Sequence, residues 1–220
     1  MKAIELITNT VTPIHTSDTG FLALQLMDEY KISHLPIVNN EEFLGVISEI
    51  DILNLNDPEM PIGNHSLSLG QTFVYEDQHI YDIIQLISEQ NLTIVPVINY
   101  KKNYLGSITL TELTHLFANL TSIKSPGAII ILELNTNDYV MSQIAQIIES
   151  NDAKILSSYI KTNNDSTKMD VIIKINKNDI AAIIQTFNRY NYIVKEYFSE
   201  KSQIDNIKAR YDEFINWLNV

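Results

Sequence analysis

The chain has no cysteine. That excludes disulfides, thiolate nucleophiles, zinc fingers and iron–sulfur clusters together. Arginine is nearly missing: Arg189 and Arg210 are the only two, and 15 basic residues face 27 acidic ones, a formal charge of −12. Such a surface cannot neutralise a run of phosphates, so a nucleic-acid partner is not expected. With six glycines in 220 residues there is little material for phosphate-cradling loops. Gly-x-Ser-x-Gly, the P-loop, Gly-x-Gly-x-x-Gly and His-Glu-x-x-His are all missing, and no nucleophile–base pair is readable, so the chain is read as a non-enzyme. No apolar run approaches the ~18 residues of a bilayer span. The opening Met1-Lys2-Ala3-Ile4-Glu5 lacks a signal peptide's apolar core, so a cytoplasmic protein without a membrane partner is expected.

What is present suffices for packed cores: 45% of residues are hydrophobic. The charge is uneven. Residues 1–125 hold 15 acids and 5 lysines, net −10, whereas residues 126–220 hold 12 acids and 10 bases, net −2. Two units with different tasks follow. The polar stretch Thr121-Ser122-Ile123-Lys124-Ser125-Pro126-Gly127 is their joint, ending in a turn pair.

The first part repeats itself. A shift of 60 residues aligns Gln25-Leu26-Met27 with Gln85-Leu86-Ile87 and His34-Leu35-Pro36-Ile37-Val38 with Ile94-Val95-Pro96-Val97-Ile98. One more loop residue aligns Leu44-Gly45-Val46-Ile47-Ser48 with Leu105-Gly106-Ser107-Ile108-Thr109. A supersecondary unit used twice, each copy needing the other to close its core, accounts for this. Each copy reads as a leading extended piece (Thr12-Pro13-Ile14; Thr72-Phe73-Val74), a polar N-cap (Ser17-Asp18-Thr19; Glu76-Asp77-Gln78), a helix, two strands and a closing helix. The apolar faces are Ala23, Leu24, Met27 and Tyr30 in the first helix and Ile80, Ile83, Ile84 and Ile87 in its counterpart. The last closing helix carries Leu113, Leu116, Phe117 and Leu120.

After the joint, Ala128-Ile129-Ile130-Ile131-Leu132-Glu133-Leu134 reads as a strand buried on both faces. Asn137-Asp138 caps a helix carrying Val140, Met141, Ile144, Ile147 and Ile148; strands follow at 153–162 and 168–176; Asn178-Asp179 caps a helix with Ile180, Ile183, Ile184, Phe187 and Tyr190; Tyr192 to Phe198 closes the unit. The order β-α-β-β-α-β is a split βαβ pattern. Residues 200–218 place Ile204, Ile207, Tyr211, Phe214, Ile215 and Leu218 at helical spacing, with Trp217 beside the stripe. An amphipathic helix of this kind needs a surface to pack on, its own chain's or a partner's.

The Pro-centred strand, the glycine in the second strand, and the tetrads Ser48-Glu49-Ile50-Asp51 and Thr109-Leu110-Thr111-Glu112 resemble a tandem CBS-domain pair, the Bateman module. The unit behind it resembles an ACT domain, and the combination resembles AcuB-like acetoin-utilisation proteins. The implied architecture is α/β of the α+β kind: a CBS pair at 1–122 (copies 1–60 and 61–122), a ferredoxin-like ACT-type domain at 127–199 and a terminal helix at 200–220. The resemblance implies an adenosine-type ligand (AMP, ADP, ATP or S-adenosylmethionine) and no cofactor or metal. It further implies a homodimer that relays binding, with a target protein as a possible further partner.

Carried over residue by residue, the Asp51 carboxylate accepts from adjacent ribose hydroxyls and Ser48 donates to phosphate beside a helix N-terminus. Ile14, Leu35, Pro36 and Ile37 surround adenine. Val74, Ile94, Pro96, Thr109 and Glu112 are the second copy's counterparts, with Glu112 longer than aspartate by about 1.5 Å. His34, in the motif strand, either packs or faces a ligand phosphate, and the other four histidines are read as facing solvent without metal-ligand spacing. Because residues 1–125 lack arginine, a nucleoside, a monophosphate or S-adenosylmethionine suits them better than free ATP. For the ACT-type unit, the turn Asn135-Thr136-Asn137-Asp138 has no glycine to let the backbone approach a ligand carboxylate, so a dimerisation role is favoured over an amino-acid site. A ligand-free interaction scaffold is the alternative for the whole chain.

Overall fold

The computed structural model describes residues 1–8, 10–55, 57–64, 72–162 and 167–199. The chain forms two compact units, residues 1–115 and 116–220. No helix among the described residues is long and apolar enough to cross a membrane.

In the first unit, α1 (Gly20–Tyr30) starts where the Thr19 hydroxyl accepts the Leu22 N–H and ends at Lys31 in the left-handed region. It leads into the antiparallel hairpin β1 (His34–Asn39) and β2 (Glu42–Ser48), then into α2 (Glu49–Leu53). The second copy repeats this with β3 (Val74–Tyr75), α3 (Ile80–Gln90), β4 (Ile94–Ile98), β5 (Tyr104–Thr109) and α4 (Leu110–Leu120). The repeat is kept down to irregularities. Pro36 lies opposite Val46 and Pro96 opposite Ser107. Both hairpins bulge one step later, where Gly45 (φ 158°) and Gly106 (φ 146°) face Ile37 and Val97. Ile14 bridges Ile37 in parallel, as Val74 does Val97.

Each copy is completed by the segment preceding the other. Ala3 and Ile4 donate to the carbonyls of Gln78 and Glu76, while Ile62 and Gly63 donate to those of Asp18 and Thr16. The hairpin tips cross as well: Phe43 N–H bonds Lys102 O, and Tyr104 N–H bonds Glu41 O at 2.7 Å. Ile94 packs among Leu35, Ile37, Ile47 and Ile52 of the first copy, and Ile98 joins Val38, Phe43 and Val46. Neither copy closes its core alone, as the repeat predicts.

Three local expectations need correction. His79, not the polar run before it, caps α3, in a capping box with Asp82. Ile84 is exposed, and of the α4 stripe Leu113 alone is buried, with Phe117 and Leu120 more than half exposed. α2 begins at Glu49 rather than near Asp51.

In the second unit, β6 (Ile129–Asn135), α5 (Met141–Glu149), β7 (Ile155–Thr162), β8 (Lys168–Ile175), α6 (Ala181–Arg189) and β9 (Ile193–Phe198) build an antiparallel sheet of order β7-β8-β6-β9. This is the ferredoxin-like topology read from the sequence. One sheet face supplies Ile130, Leu132, Val171, Ile173 and Ile175 to a core closed by Ile144, Ile147, Ile148, Ile183 and Phe187 of the two helices. β6 is central but alternates in burial, so the expectation of a strand covered on both faces is wrong: Ile129 and Ile131 stay half-buried on the second face. Asn137-Asp138 does not cap α5. Thr136–Asp138 is a 3₁₀ turn, Asp138 accepts from Asn135, and α5 starts after Val140. Asp179 does reach the Ala181 N–H ahead of α6, at 3.4 Å. The amphipathic stretch 200–218 lies outside the described residues.

Candidate functional site

Ser48 and Asp51 lie at the corner where β2 turns into α2. Strand geometry ends at Ser48 (φ −97°, ψ 158°). Its hydroxyl accepts the Asp51 N–H at 3.1 Å, while Asp51 Oδ2 accepts the Ser48 N–H at 3.0 Å and the Ser48 O–H at 2.8 Å. This is a reciprocal capping box. It fixes the carboxylate before any ligand arrives, and it commits the Ser48 proton to Asp51 rather than to a phosphate. With α2 only five residues long, the helix dipole adds little there.

The second corner follows the same plan despite its longer acid. Thr109 N–H bonds Glu112 Oε2 at 2.9 Å, Glu112 N–H bonds the Thr109 hydroxyl at 3.2 Å, and Thr10 donates to Glu112 Oε1 at 3.4 Å. Both oxygens of Glu112 are therefore taken by protein groups. The two corners are built alike.

The apolar site residues sit behind these corners. Ile14, Leu35, Ile37, Val74 and Ile94 are all at most 2% exposed, and Pro36 and Pro96 are buried beside them. They form the floor of the strands rather than an open wall. A depression of about 510 Å³ adjoins the first corner through Glu49 and is also lined by Ser33, Leu24, Met27, Asp28 and Leu53. A smaller one, about 220 Å³, reaches Val74 beside Phe73, Gln78 and Asp82.

His34 marks the join between the copies. Its Nδ1 lies 3.0 Å from the Thr93 hydroxyl and accepts the Thr93 N–H at 3.3 Å; the same hydroxyl accepts the Ser33 N–H at 3.0 Å. His34 is half-buried in this contact. Ser33 and Thr93, equivalent positions 60 residues apart in the repeat, meet across the join. Burial lowers the His34 pKa below 6.5, against the opposing pull of Asp51 and Glu49. The folded state therefore binds its proton less readily than the unfolded chain, so stability is complete above pH 6.5 and falls as the pH drops below it. Urea unfolding at several pH values should show that loss in the parent protein and a weaker one in His34→Gln; equal slopes would rule out His34 as the source.

Of the remaining histidines, His15, His79 and His115 are exposed, as read from the sequence, with His15 bonding Asp18 and His79 capping α3; His65 lies outside the described residues. Among the described residues no cluster suits a metal ion. Lys31 is tied to Asp28 at 2.8 Å, and Lys102 occupies a left-handed turn at a hairpin tip.

A family model for the CBS domain matches residues 3–56 and 72–119. Inosine-5'-monophosphate dehydrogenase of Methanocaldococcus jannaschii is 26% identical over 113 residues, which is 51% of this chain and 23% of that enzyme. The chain thus matches about a quarter of the length of this curated relative. A CBS domain pair/ACT domain protein from Thermotoga maritima is 25% identical with a TM-score of 0.48, covering 55% of this chain and 99% of that one. A Vibrio cholerae protein assigned to acetoin utilization (AcuB) is 21% identical with a TM-score of 0.48, covering 56% and 95%.

Proposed function

Because residues 3–56 and 72–119 make up a pair of CBS domains, we propose that the chain is a regulatory sensor that binds an adenosine-type ligand at the first corner and relays binding through rearrangement of a homodimer. The observation that carries the proposal is the pre-set Asp51 carboxylate, fixed by Ser48 at 2.8 Å. A carboxylate in one orientation can accept two hydrogen bonds from the neighbouring hydroxyls of a ribose. Ile14 and Pro36 share a backbone bond of 3.0 Å that holds the leading segment alongside the motif strand. Binding shifts the arrangement only to the extent that the ligand prefers one of two states.

Charge narrows the ligand. Glu49 and Asp51 both act on His34, so the surroundings are acidic, and no arginine occurs in residues 1–125 to offset a triphosphate. A nucleoside, AMP or the cationic S-adenosylmethionine fits this field better than ATP. The second corner, whose glutamate is one methylene longer than the aspartate of the first, is proposed as the weaker site. The capping box also gives Ser48 and Asp51 a role without any ligand, which favours a pure interaction scaffold as the competing reading.

A thermal-shift series with AMP, ADP, ATP and S-adenosylmethionine, each with and without magnesium, separates them. Ligand at 100 times Kd should stabilise the protein by about 2.7 kcal/mol. Asp51→Ala should abolish that shift, measured from its own baseline, which is lowered by about 0.5–2 kcal/mol through loss of the cap. Ser48→Ala lowers the baseline similarly but keeps the carboxylate, and so should retain most of the shift. An unchanged shift in Asp51→Ala or no response to any ligand would defeat the proposal, the latter leaving the scaffold, whereas tight magnesium-independent ATP binding would overturn the charge argument.

A further inference from the structure

The internal repeat is broken at one place beside the first corner. His34 in β1 corresponds to Ile94 in β4, and the two hold the same register position, opposite Ser48 and Thr109. Residues directly opposite each other in an antiparallel pair project to the same side of the sheet, with Cβ atoms about 5 Å apart. The imidazole therefore stands on the Ser48 side of the hairpin, next to the cap that fixes Asp51. Ile94 is fully buried. The first corner thus has an ionisable group where the second has a hydrocarbon.

Hydrogen bonding sets the resting form of that group. Nδ1 accepts the Thr93 N–H at 3.3 Å, so the neutral ring keeps its hydrogen on Nε2. The Thr93 hydroxyl, 3.0 Å from the same nitrogen, accepts the Ser33 N–H at 3.0 Å. A proton on Nδ1 would face the Thr93 N–H donor to donor, and that bond across the join would be lost. Among the described residues the charged groups acting on the ring are Glu49 and Asp51, both on α2. The residues facing it from the other elements are uncharged: Ser33 ahead of β1, Ser48 at the end of β2 and Thr93 ahead of β4. Protonation therefore costs a hydrogen bond and gains attraction from two carboxylates. Burial tips the balance toward the neutral ring and holds its pKa below the ordinary 6.5.

We infer that His34 determines which adenosine-type ligand the first corner prefers, according to whether it carries a proton. The inference rests on the reading of Asp51 as the ribose-binding carboxylate. With the ring neutral, the field at the corner is that of Glu49 and Asp51, and a cation such as the sulfonium of S-adenosylmethionine is favoured. With the ring charged, a positive charge offsets that field, so AMP gains and S-adenosylmethionine loses. The coupling is reciprocal: S-adenosylmethionine lowers the proton affinity of His34 and AMP raises it. The second corner, with Ile94 in this place, lacks the device.

Calorimetric titration of the full-length protein with S-adenosylmethionine and with AMP, at about pH 8 and about pH 5.5, tests this. On acidification the Kd of S-adenosylmethionine relative to that of AMP should rise several-fold in the parent protein. In His34→Gln, which keeps an acceptor for Thr93 but binds no proton, the rise should be much smaller. The ligands' own titrations are common to both proteins and cancel in the comparison. Proton NMR gives an independent reading. The His34 resonance, identified by its absence from His34→Gln, should titrate with a midpoint that S-adenosylmethionine lowers and AMP raises. Should His34→Gln fail to fold, His34→Asn takes its place, and the midpoint shifts are read in the parent protein. If one ligand alone binds, its Kd against pH and its effect on the midpoint decide in the same way. Equal rises in parent and variant, or a His34 midpoint that bound ligand does not move, overturn the inference and leave the ligand site standing. Binding of neither ligand at either pH ends both the inference and the reading it rests on.

Discussion

Gly127→Ala is expected to cost the ferredoxin-like unit about 3 kcal/mol or more, enough to unfold it under mild conditions. Gly127 has φ +141°, a conformation that L side chains rarely adopt, and it lies against the end of β8. A Cβ there would sit 1.9 Å from the Ile175 carbonyl oxygen and 2.9 Å from its carbon. The obstruction is backbone, and it is pinned, because the Ile175 N–H bonds Ala128 O at 2.9 Å at the start of the central strand. No rotamer change can relieve it. Gly20→Ala is the milder comparison: its Cβ would meet Ile52 Cγ2 at 2.9 Å and Leu55 Cδ1 and the Pro58 carbonyl oxygen at 3.2 Å each, none as close as the 1.9 Å at Gly127. Urea unfolding followed by circular dichroism should show a much larger loss for Gly127→Ala than for Gly20→Ala. Comparable losses would mean that Gly127 merely ends a linker.

That contrast shows what the sequence could carry. Pro126-Gly127 reads as a turn pair, and a turn was the expectation; the close approach of Gly127 to another strand is tertiary and leaves no local trace. The repeat was legible because period-2 strands and Pro/Gly punctuation recur at a fixed shift, and register follows from them. Helix caps were less legible: Thr19 caps as expected, yet at α3 a histidine took the role, since any side-chain acceptor at the right φ/ψ will serve. The β6 run was read as doubly buried because apolar composition cannot say whether the second cover is a helix pair, a terminal segment or another chain.

The candidate site was legible in composition and less so in geometry. Ser48 and Asp51 stand at the spacing of a tetrad, but spacing alone cannot show that the serine hydroxyl donates to the aspartate. Nor can it show that Glu112 is held by Thr10, which is 102 residues away in sequence. The apolar residues Leu35 and Ile37 look the same in sequence whether they line a pocket or floor a core, and here they floor it.

Phe187→Ala is the second large effect expected, about 3–5 kcal/mol. Phe187 is fully buried on the inner face of α6, and its ring meets Tyr192 edge-on at 5.6 Å and 74°. The chain between them is a tight turn: the Tyr192 N–H bonds Phe187 O at 3.0 Å, and Asn191 takes φ +62°. Tyr192 in turn donates its hydroxyl to Gln143 Oε1 at 2.8 Å, tying the entry of β9 to α5. Removing the ring opens a void that the sheet behind it cannot fill, and it removes the surface that orients Tyr192. The loss therefore combines lost burial, a cavity and a ring-edge contact of about 0.5–1.5 kcal/mol. A cycle with Tyr192→Phe dissects it: the phenylalanine keeps the ring contact and forfeits only the hydrogen bond to Gln143, so it should cost far less than Phe187→Ala. Tyr192 and Gln143 also wall a cavity of about 340 Å³ with Asn135, Asp138 and Lys168. Amide exchange at Tyr192 should accordingly rise in Phe187→Ala well before the sheet amides follow. A loss under about 1 kcal/mol, the scale of a surface substitution, would show that α6 is not seated on the core as described.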